Sequence, residues 1–207
     1  MKTTPRRRGR PPKEHAGYSE TRESLLRAGV AVLTEKGFSA AGIEEILRGA
    51  NVPKGSFYHY FRSKEVFGLE LIDLYAAYFA KKLDRMLTNE GRSPLERLHD
   101  FISDAEAGMR RYEFQRGCLV GNLGQEMAVL PEGYRERIRK VFVDWEAYTA
   151  RCLLEAQKRG EISDKIDCVH VASFFWIGWE GAVLRAKLDG GPAALHTFAR
   201  GFFAALK

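Results

Sequence analysis

The chain has 207 residues, 45% hydrophobic and 29% charged, with a formal net charge of +6. That is enough apolar material for a sizeable core, divided between a small domain and a larger one. No apolar run approaches the ~20 residues that span a bilayer, and the basic N-terminus lacks the apolar segment of a signal peptide. Cys118, Cys152 and Cys168 are widely spaced and odd in number, which argues against a disulfide framework and for a reducing, cytoplasmic setting.

The charge is unevenly placed. Residues 1–13 carry Lys2, Arg6, Arg7, Arg8, Arg10 and Lys13 and no acid, so 33 basic residues less these six leave 27 against 27 acids. All the excess sits on one Pro/Gly-punctuated arm, assigned to residues 1–17, which cannot bury a core of its own. Near DNA such an arm releases counterions and strengthens binding in a salt-dependent way. Arg8-Gly9-Arg10-Pro11 reproduces the core of an AT-hook, in which a flat glycine lets Arg8 and Arg10 enter a narrow A·T-rich minor groove. A solubilising or membrane-attracted tail is the alternative.

A helix is predicted from Glu20 to Lys36, with Leu25, Leu26, Val30, Val32 and Leu33 mostly inward and Gly37 as its stop. Ser39 then reads as an N-cap, and Ile43, Ile46 and Leu47 form one apolar stripe. Gly49-Ala50-Asn51 supplies residues that tolerate a left-handed C-cap, and Val52 fills the corner. Pro53 fits at or just before the first helical position. In the next helix, GSFYHY, Phe57 and Phe61 face inward, which leaves Lys54, Gly55, Ser56, Tyr58 and His59 outside with Tyr60 at their edge. Ser63 is the following N-cap, with Glu65 favoured by the helix dipole. An ordinary helical hairpin with core aromatics has the same spacing. The surplus of exposed aromatic and hydrogen-bonding groups instead suits a helix laid in the major groove.

VPKGSFYHYFRSKEVF, within the segment from about Ser19 to Phe67, closely resembles the signature of TetR/AcrR-type transcriptional regulators. The resemblance implies a homodimer on a palindromic operator, each subunit placing one recognition helix in the major groove. It makes Lys54, Gly55, Ser56 and Tyr58 the base-proximal set and puts His59, Tyr60 and Lys64 at phosphates. Ala41 and Gly42 stand where many members have threonines, so the phosphate contact there must come from a backbone amide or from elsewhere.

Beyond Phe67 the periodicity is helical throughout and β-type alternation is absent. A helix from Ser63 to about Leu87 puts Phe67, Leu71, Leu74, Tyr75, Tyr78 and Phe79 on one face and joins the two domains, divided at 18–67 and 68–207. Pro94 starts the next, with Leu98, Phe101, Ile102, Ala105 and Met109 at helical spacing. Gly117 to Ala128 is a shorter element, and Pro131 opens a long helix to about Arg159. Two apolar helices, about Asp167–Leu188 and Pro192–Leu206, close the chain. Their surplus of large side chains exceeds one bundle face, so pairing with a second copy through these last two helices is expected. Closure of the monomer's own core is the alternative. The expectation is an all-α protein of about nine helices. It combines a three-helix helix-turn-helix domain with a helical ligand-binding and dimerisation domain.

Candidate effector contacts are polar groups in apolar settings. Arg116, Cys118, Asn122 and Glu126 lie in RGCLVGNLGQE, Glu180 and Trp176 in WIGWEG, and Trp145 and Arg185 nearby in pattern. Cys118 reads either as a small buried hydrophobe or, at a helix N-terminus near Arg116, as a favoured thiolate. Glu180 reads as a pocket group or as the partner of Arg185 or Lys187. RGCLVGNLGQE together with FWIGWEGAVLRAKL is similar to acrylate-responsive repressors of the acrylate-utilisation type. That resemblance implies acrylate, or a related small unsaturated acid or its thioester, as inducer. Thiol addition at Cys118 and a reversible carboxylate complex with Arg116 or Arg185 both remain open. No Ser-His-Asp order, HExxH, CxxC pair or dinucleotide fingerprint is present, and the five histidines lack metal-ligand spacing. The reading is therefore a regulator without cofactor, metal, membrane segment or catalytic residues. Its rival is an adaptor that binds DNA without sequence preference.

Overall fold

The computed structural model describes residues 15–206. The basic arm before His15, with Arg8 and Arg10, lies outside them. Nine helices and no strand occur among the described residues: α1 (His15–Lys36), α2 (Ile43–Gly49), α3 (Phe57–Tyr60), α4 (Lys64–Leu87), α5 (Pro94–Arg110), α6 (Leu119–Gln125), α7 (Tyr134–Lys158), α8 (Cys168–Asp189) and α9 (Ala193–Ala204).

Local signals set most boundaries. Ser63 Oγ accepts from Val66 N at 3.2 Å, and Asp167 Oδ1 accepts from Val169 and His170 N at 3.0 Å each. Ser93 and Glu96 form a full capping box ahead of Pro94. Asn51 is left-handed (φ +55°) after α2, and Gly160 and Gly190 are left-handed after α7 and α8.

Four expectations give way. α1 is already helical at His15, five residues before the expected Glu20. Ser39 does not cap α2. Gly42 holds that position without a side-chain bond, and Ser39 is drawn instead to Glu126, 87 residues away. α7 begins at Tyr134 rather than Pro131, after a turn through left-handed Gly133. There Tyr134 is fully buried and donates to the Glu65 carbonyl at 2.8 Å. On α4, Leu74 and Tyr78 are exposed, while Gly68, Ile72, Leu83 and Leu87 turn inward. The face rotates because α4 packs on α1 at its start and on α5 and α7 further along.

Phe57 and Phe61 are buried against Phe67, with ring centroids 5.2 and 4.6 Å away. Further along the chain, Phe175, Trp176, Trp179, Val183, Leu195 and Phe202 are buried within the chain's own core. Val169, Phe174, Ile177, Leu184 and Leu188 remain outside, Ile177 and Leu188 at 72% and 75% exposure. They form the unpaired apolar surface of α8.

Candidate functional site

The short α3 carries the first site. Phe57 at its start is anchored in the core, so its neighbours are presented outward from a fixed base. Tyr58 is 66% exposed, Lys54 projects into solvent beside Glu44 (3.2 Å), and Gly55 has a positive φ of 85° with open space around it. Ser56 precedes α3 without making a cap bond. His59 and Tyr60 pack on Tyr18 of α1, with centroids at 5.5 and 4.8 Å, and Tyr18 Oη donates to the His59 carbonyl at 3.4 Å. Sequence reasoning missed Tyr18, which lies some forty positions upstream. Lys64, expected at a phosphate, is engaged within the chain. Its Nζ donates to the Phe38 carbonyl at 2.8 Å and lies 4.4 Å over the Phe38 ring, and burial lowers its pKa.

The second site is a cavity of about 350 Å³ bounded by α1, α4, α5, the α5–α6 connection and α8. Of the eight expected effector contacts, only Arg116 and Cys118 line it. Tyr75, Tyr78, Phe79 and Lys82 line it from α4, and their i, i+3, i+4, i+7 spacing is the signal that could have found them. Lys82 pairs with Asp104, and the Arg116 guanidinium lies 4.1 Å over the Tyr112 ring. Cationic groups and an apolar wall thus meet in one space, which suits a small molecule with an anionic head.

The remaining expected contacts are elsewhere. Trp145 and Trp176 pack on each other behind the lining, tilted by 38° with centroids 4.7 Å apart, and Trp176 Nε1 donates to Thr149 Oγ1 at 3.0 Å. Arg185 is exposed beside Asp189. Asn122 Nδ2 donates to the Leu33 and Thr34 carbonyls, each at 2.9 Å. Glu126 accepts from Phe38 N (2.9 Å), Ser39 N (2.8 Å) and Ser39 Oγ (2.6 Å). Its carboxylate fills the space over Gly37, whose left-handed backbone (φ +80°) excludes a Cβ. Asn122 and Glu126 are joints between α6 and the α1–α2 segment. Polarity in an apolar context marked them correctly as special but not as ligand contacts, because their partners are distant backbone groups.

Glu180 takes neither Arg185 nor Lys187. Lys187 Nζ is held by the Glu35 carbonyl at 2.9 Å. Glu180 instead lies beside Gly121 and Cys118, and its Oε1 is buried with no partner. Burial pushes the Glu180 carboxyl up to about 7. The Cys118 thiol is raised well above its usual value by burial and then by Glu180, so the helix-start thiolate expectation fails even though Cys118 does cap α6. The raised carboxyl has a consequence for stability. Unfolded, Glu180 loses its proton near the ordinary value of about 4.3, whereas folded it keeps it to about 7. Stability therefore falls as pH rises through that window, by about 1.4 kcal/mol for each pH step of one, and the loss is complete above it. Glu180→Gln is expected to unfold at a higher temperature than the native chain at pH 8, with the gap closing at pH 4.5. Thermal melts at the two pH values check this, and an equal gap at both would refute the assignment.

Among the described residues no helix is long and apolar enough to cross a membrane, and no group of three or more His, Cys, Asp or Glu could hold a metal ion. Residues 25–71 match the family described as bacterial regulatory proteins, tetR family, and residues 94–202 match the tetracyclin repressor-like C-terminal domain. The chain belongs to the TetR family. It is 52% identical to the transcriptional regulator AcuR of Cereibacter sphaeroides, over 95% of this chain and 89% of that one. It is 30% identical to the HTH-type transcriptional repressor NemR of Escherichia coli, over 82% of this chain and 85% of that one. The crystal structure of a regulatory protein TetR from Rhodobacter sphaeroides superposes with a TM-score of 0.86 at 53% identity, covering 88% of this chain and 96% of that one. As a TetR-family member the chain is a transcriptional regulator with a DNA-binding helix-turn-helix, not an enzyme, and its relatives include repressors.

Proposed function

We propose that the chain is a ligand-responsive repressor that binds a palindromic operator as a homodimer. On this reading a small unsaturated acid releases it, with acrylate or a related acid or its thioester as the inducer. The observation that carries the reading is the cavity in which Arg116 and Lys82 stand near Cys118 within an aromatic wall. An acid head pairs with the cations while its carbon end meets the thiol.

Residues 18–67 form the DNA-reading unit and 68–207 the effector unit, with α4 crossing between them. Lys54, Gly55, Ser56 and Tyr58 face the bases, and His59 and Tyr60 hold the backbone with Tyr18 as their brace. Arg8 and Arg10 add minor-groove contact. The exposed apolar residues of α8 support pairing with a second copy through the last two helices.

Induction follows from linkage: a ligand relieves repression only by binding the non-DNA conformation more tightly. Two half-sites ~34 Å apart penalise any change in the spacing of the recognition helices. α6 offers a route, because its first turn borders the cavity at Cys118 and its last turn holds the α1–α2 segment through Glu126.

The test is titration of the operator complex with acrylate in the presence of excess random DNA. Retained binding without acrylate and release with it are expected. Loss of the complex to random DNA alone would favour the non-specific adaptor, and a complex that ignores acrylate would discard this inducer.

A further inference from the structure

The cavity bounded by α1, α4, α5 and α8 is walled by rings and carries charge of one sign. Six of its lining side chains are aromatic: Tyr75, Tyr78 and Phe79 on α4, Phe101 on α5, Tyr112 just after it, and Trp179 on α8. Its charged lining residues are Arg27, Lys82 and Arg116, and no Asp or Glu lines it. Rings and charges are graded by depth. Phe101 and Trp179 are buried at the floor, with ring centroids 5.8 Å apart, whereas Tyr78 and Tyr112 are exposed at the mouth. Lys82 is paired with Asp104 and Arg27 with Glu23. Among the described residues Arg116 has no carboxylate partner, and its guanidinium lies over the exposed Tyr112 ring.

We propose that the cavity selects planar aromatic carboxylic acids, in which a ring is joined to the carboxylate through a short unsaturated linker, over acrylate itself. The inference rests on the reading of this cavity as the effector site and names the chemical class it takes. The ring lies among Phe101, Trp179, Tyr75 and Phe79, and the carboxylate at the mouth pairs with Arg116.

Size and wall chemistry both favour the larger acid. A cavity of about 350 Å³ falls within the range of about 300–1,000 Å³ that encloses drug-sized ligands. Acrylate, a vinyl group and a carboxylate, would leave most of it to water held against apolar walls, which the hydrophobic effect disfavours. A phenyl group on the β-carbon covers that wall and can pair edge-to-face or offset with the rings already there. Burying such a ring is worth about ten- to a hundredfold in affinity. A planar linker also has little freedom to lose on binding. On the α1 side, Thr34 donates its hydroxyl to the Val30 and Ala31 carbonyls, so it offers no free donor to draw the carboxylate away from Arg116.

Calorimetry on the DNA-free full chain compares cinnamate with acrylate and with cinnamyl alcohol, which keeps the ring and loses the charge. Cinnamate is expected to bind about ten- to a hundredfold more tightly than acrylate. Arg116→Gln should weaken cinnamate by about tenfold or more and leave cinnamyl alcohol nearly unchanged. Gly108→Leu puts a side chain into the space assigned to the ring. Gly108 lines the cavity, a Cβ there meets nothing within 4 Å, and leucine suits a helix better than glycine. This variant should cost cinnamate about tenfold or more and acrylate less than about threefold. Cinnamate bound no more tightly than acrylate, or unaffected by Gly108→Leu, would overturn the proposal. Tight cinnamate binding without operator release by any of these acids leaves this inference standing and removes the inducer reading. Release by acrylate, with cinnamate bound no more tightly, removes this inference alone.

Discussion

Replacing Arg97 by alanine is expected to cost about 3 kcal/mol of folding stability, at the lower end of what breaking a buried ion pair costs. Arg97 is 1% exposed, yet no ligand or interface explains it. Its Nε donates to the carbonyls of Asn89 (2.7 Å) and Arg92 (3.1 Å), and its Nη1 donates to the Leu87 carbonyl (3.0 Å). Nη1 and Nη2 also reach the two Glu155 oxygens at 2.6 and 3.2 Å. One guanidinium therefore ties together the end of α4, the 88–93 connection and the last turn of α7. Burial alone would lower its pKa, and Glu155 more than offsets that. Alanine would strand the Leu87 and Arg92 carbonyls, while the Asn89 carbonyl would keep the Arg92 N–H and Glu155 would keep Arg159 as a partner, which is why the lower figure is chosen. For a chain of this size the melting temperature should drop by roughly 6–12 °C. Arg97→Lys should fall between, because an ammonium cannot serve the same fork of acceptors. A melt of Arg97→Ala within 2 °C of the native chain would show that the network is not holding these elements together.

The second large effect is expected at Glu126→Ala, and it concerns coupling rather than folding. The carboxylate takes three donors from Phe38 and Ser39, and it does so at the opposite end of α6 from the cavity. Without it, movement of Cys118 and the first turn of α6 has no rigid grip on the start of the helix-turn-helix. Inducer affinity measured without DNA should change by less than threefold. The inducer's effect on operator affinity, typically 1–3 kcal/mol in allosteric proteins, should fall towards zero. Glu126→Gln keeps an acceptor and should retain part of the effect. Calorimetry for the small molecule and fluorescence anisotropy for the operator give the two numbers. Full inducibility in Glu126→Ala would move the route to α4.

Features decided within a few residues were legible in the chain. Ser63 caps α4 where its hydroxyl predicts, Asn51 takes the left-handed turn after α2, and Gly37 ends α1 with a positive φ. Phe57 and Phe61 are buried, and Tyr58 is left outside. What failed depends on partners far along the sequence. Ser39 has good capping chemistry, but Glu126 competes for it and wins with a charge-assisted bond. Arg97 gives no local hint of burial at all. In the cavity, Cys118 and Arg116 were identifiable because they are chemically unusual in their stretch. Tyr75 and Lys82 had only their helical spacing with Tyr78 and Phe79 to mark them, a pattern that any amphipathic helix shares.

The distribution of tryptophan gives the effector unit a reporter of its own. Trp179 lines the cavity, Trp176 and Trp145 are packed directly behind it, and the chain has no other tryptophan. Indole emission, excited at the red edge of the absorption band, therefore comes wholly from the neighbourhood of the cavity, and the duplex-facing helices contribute nothing to it. A spectral change on adding a small molecule would register occupancy directly, and the same sample could be titrated with labelled operator in a separate channel.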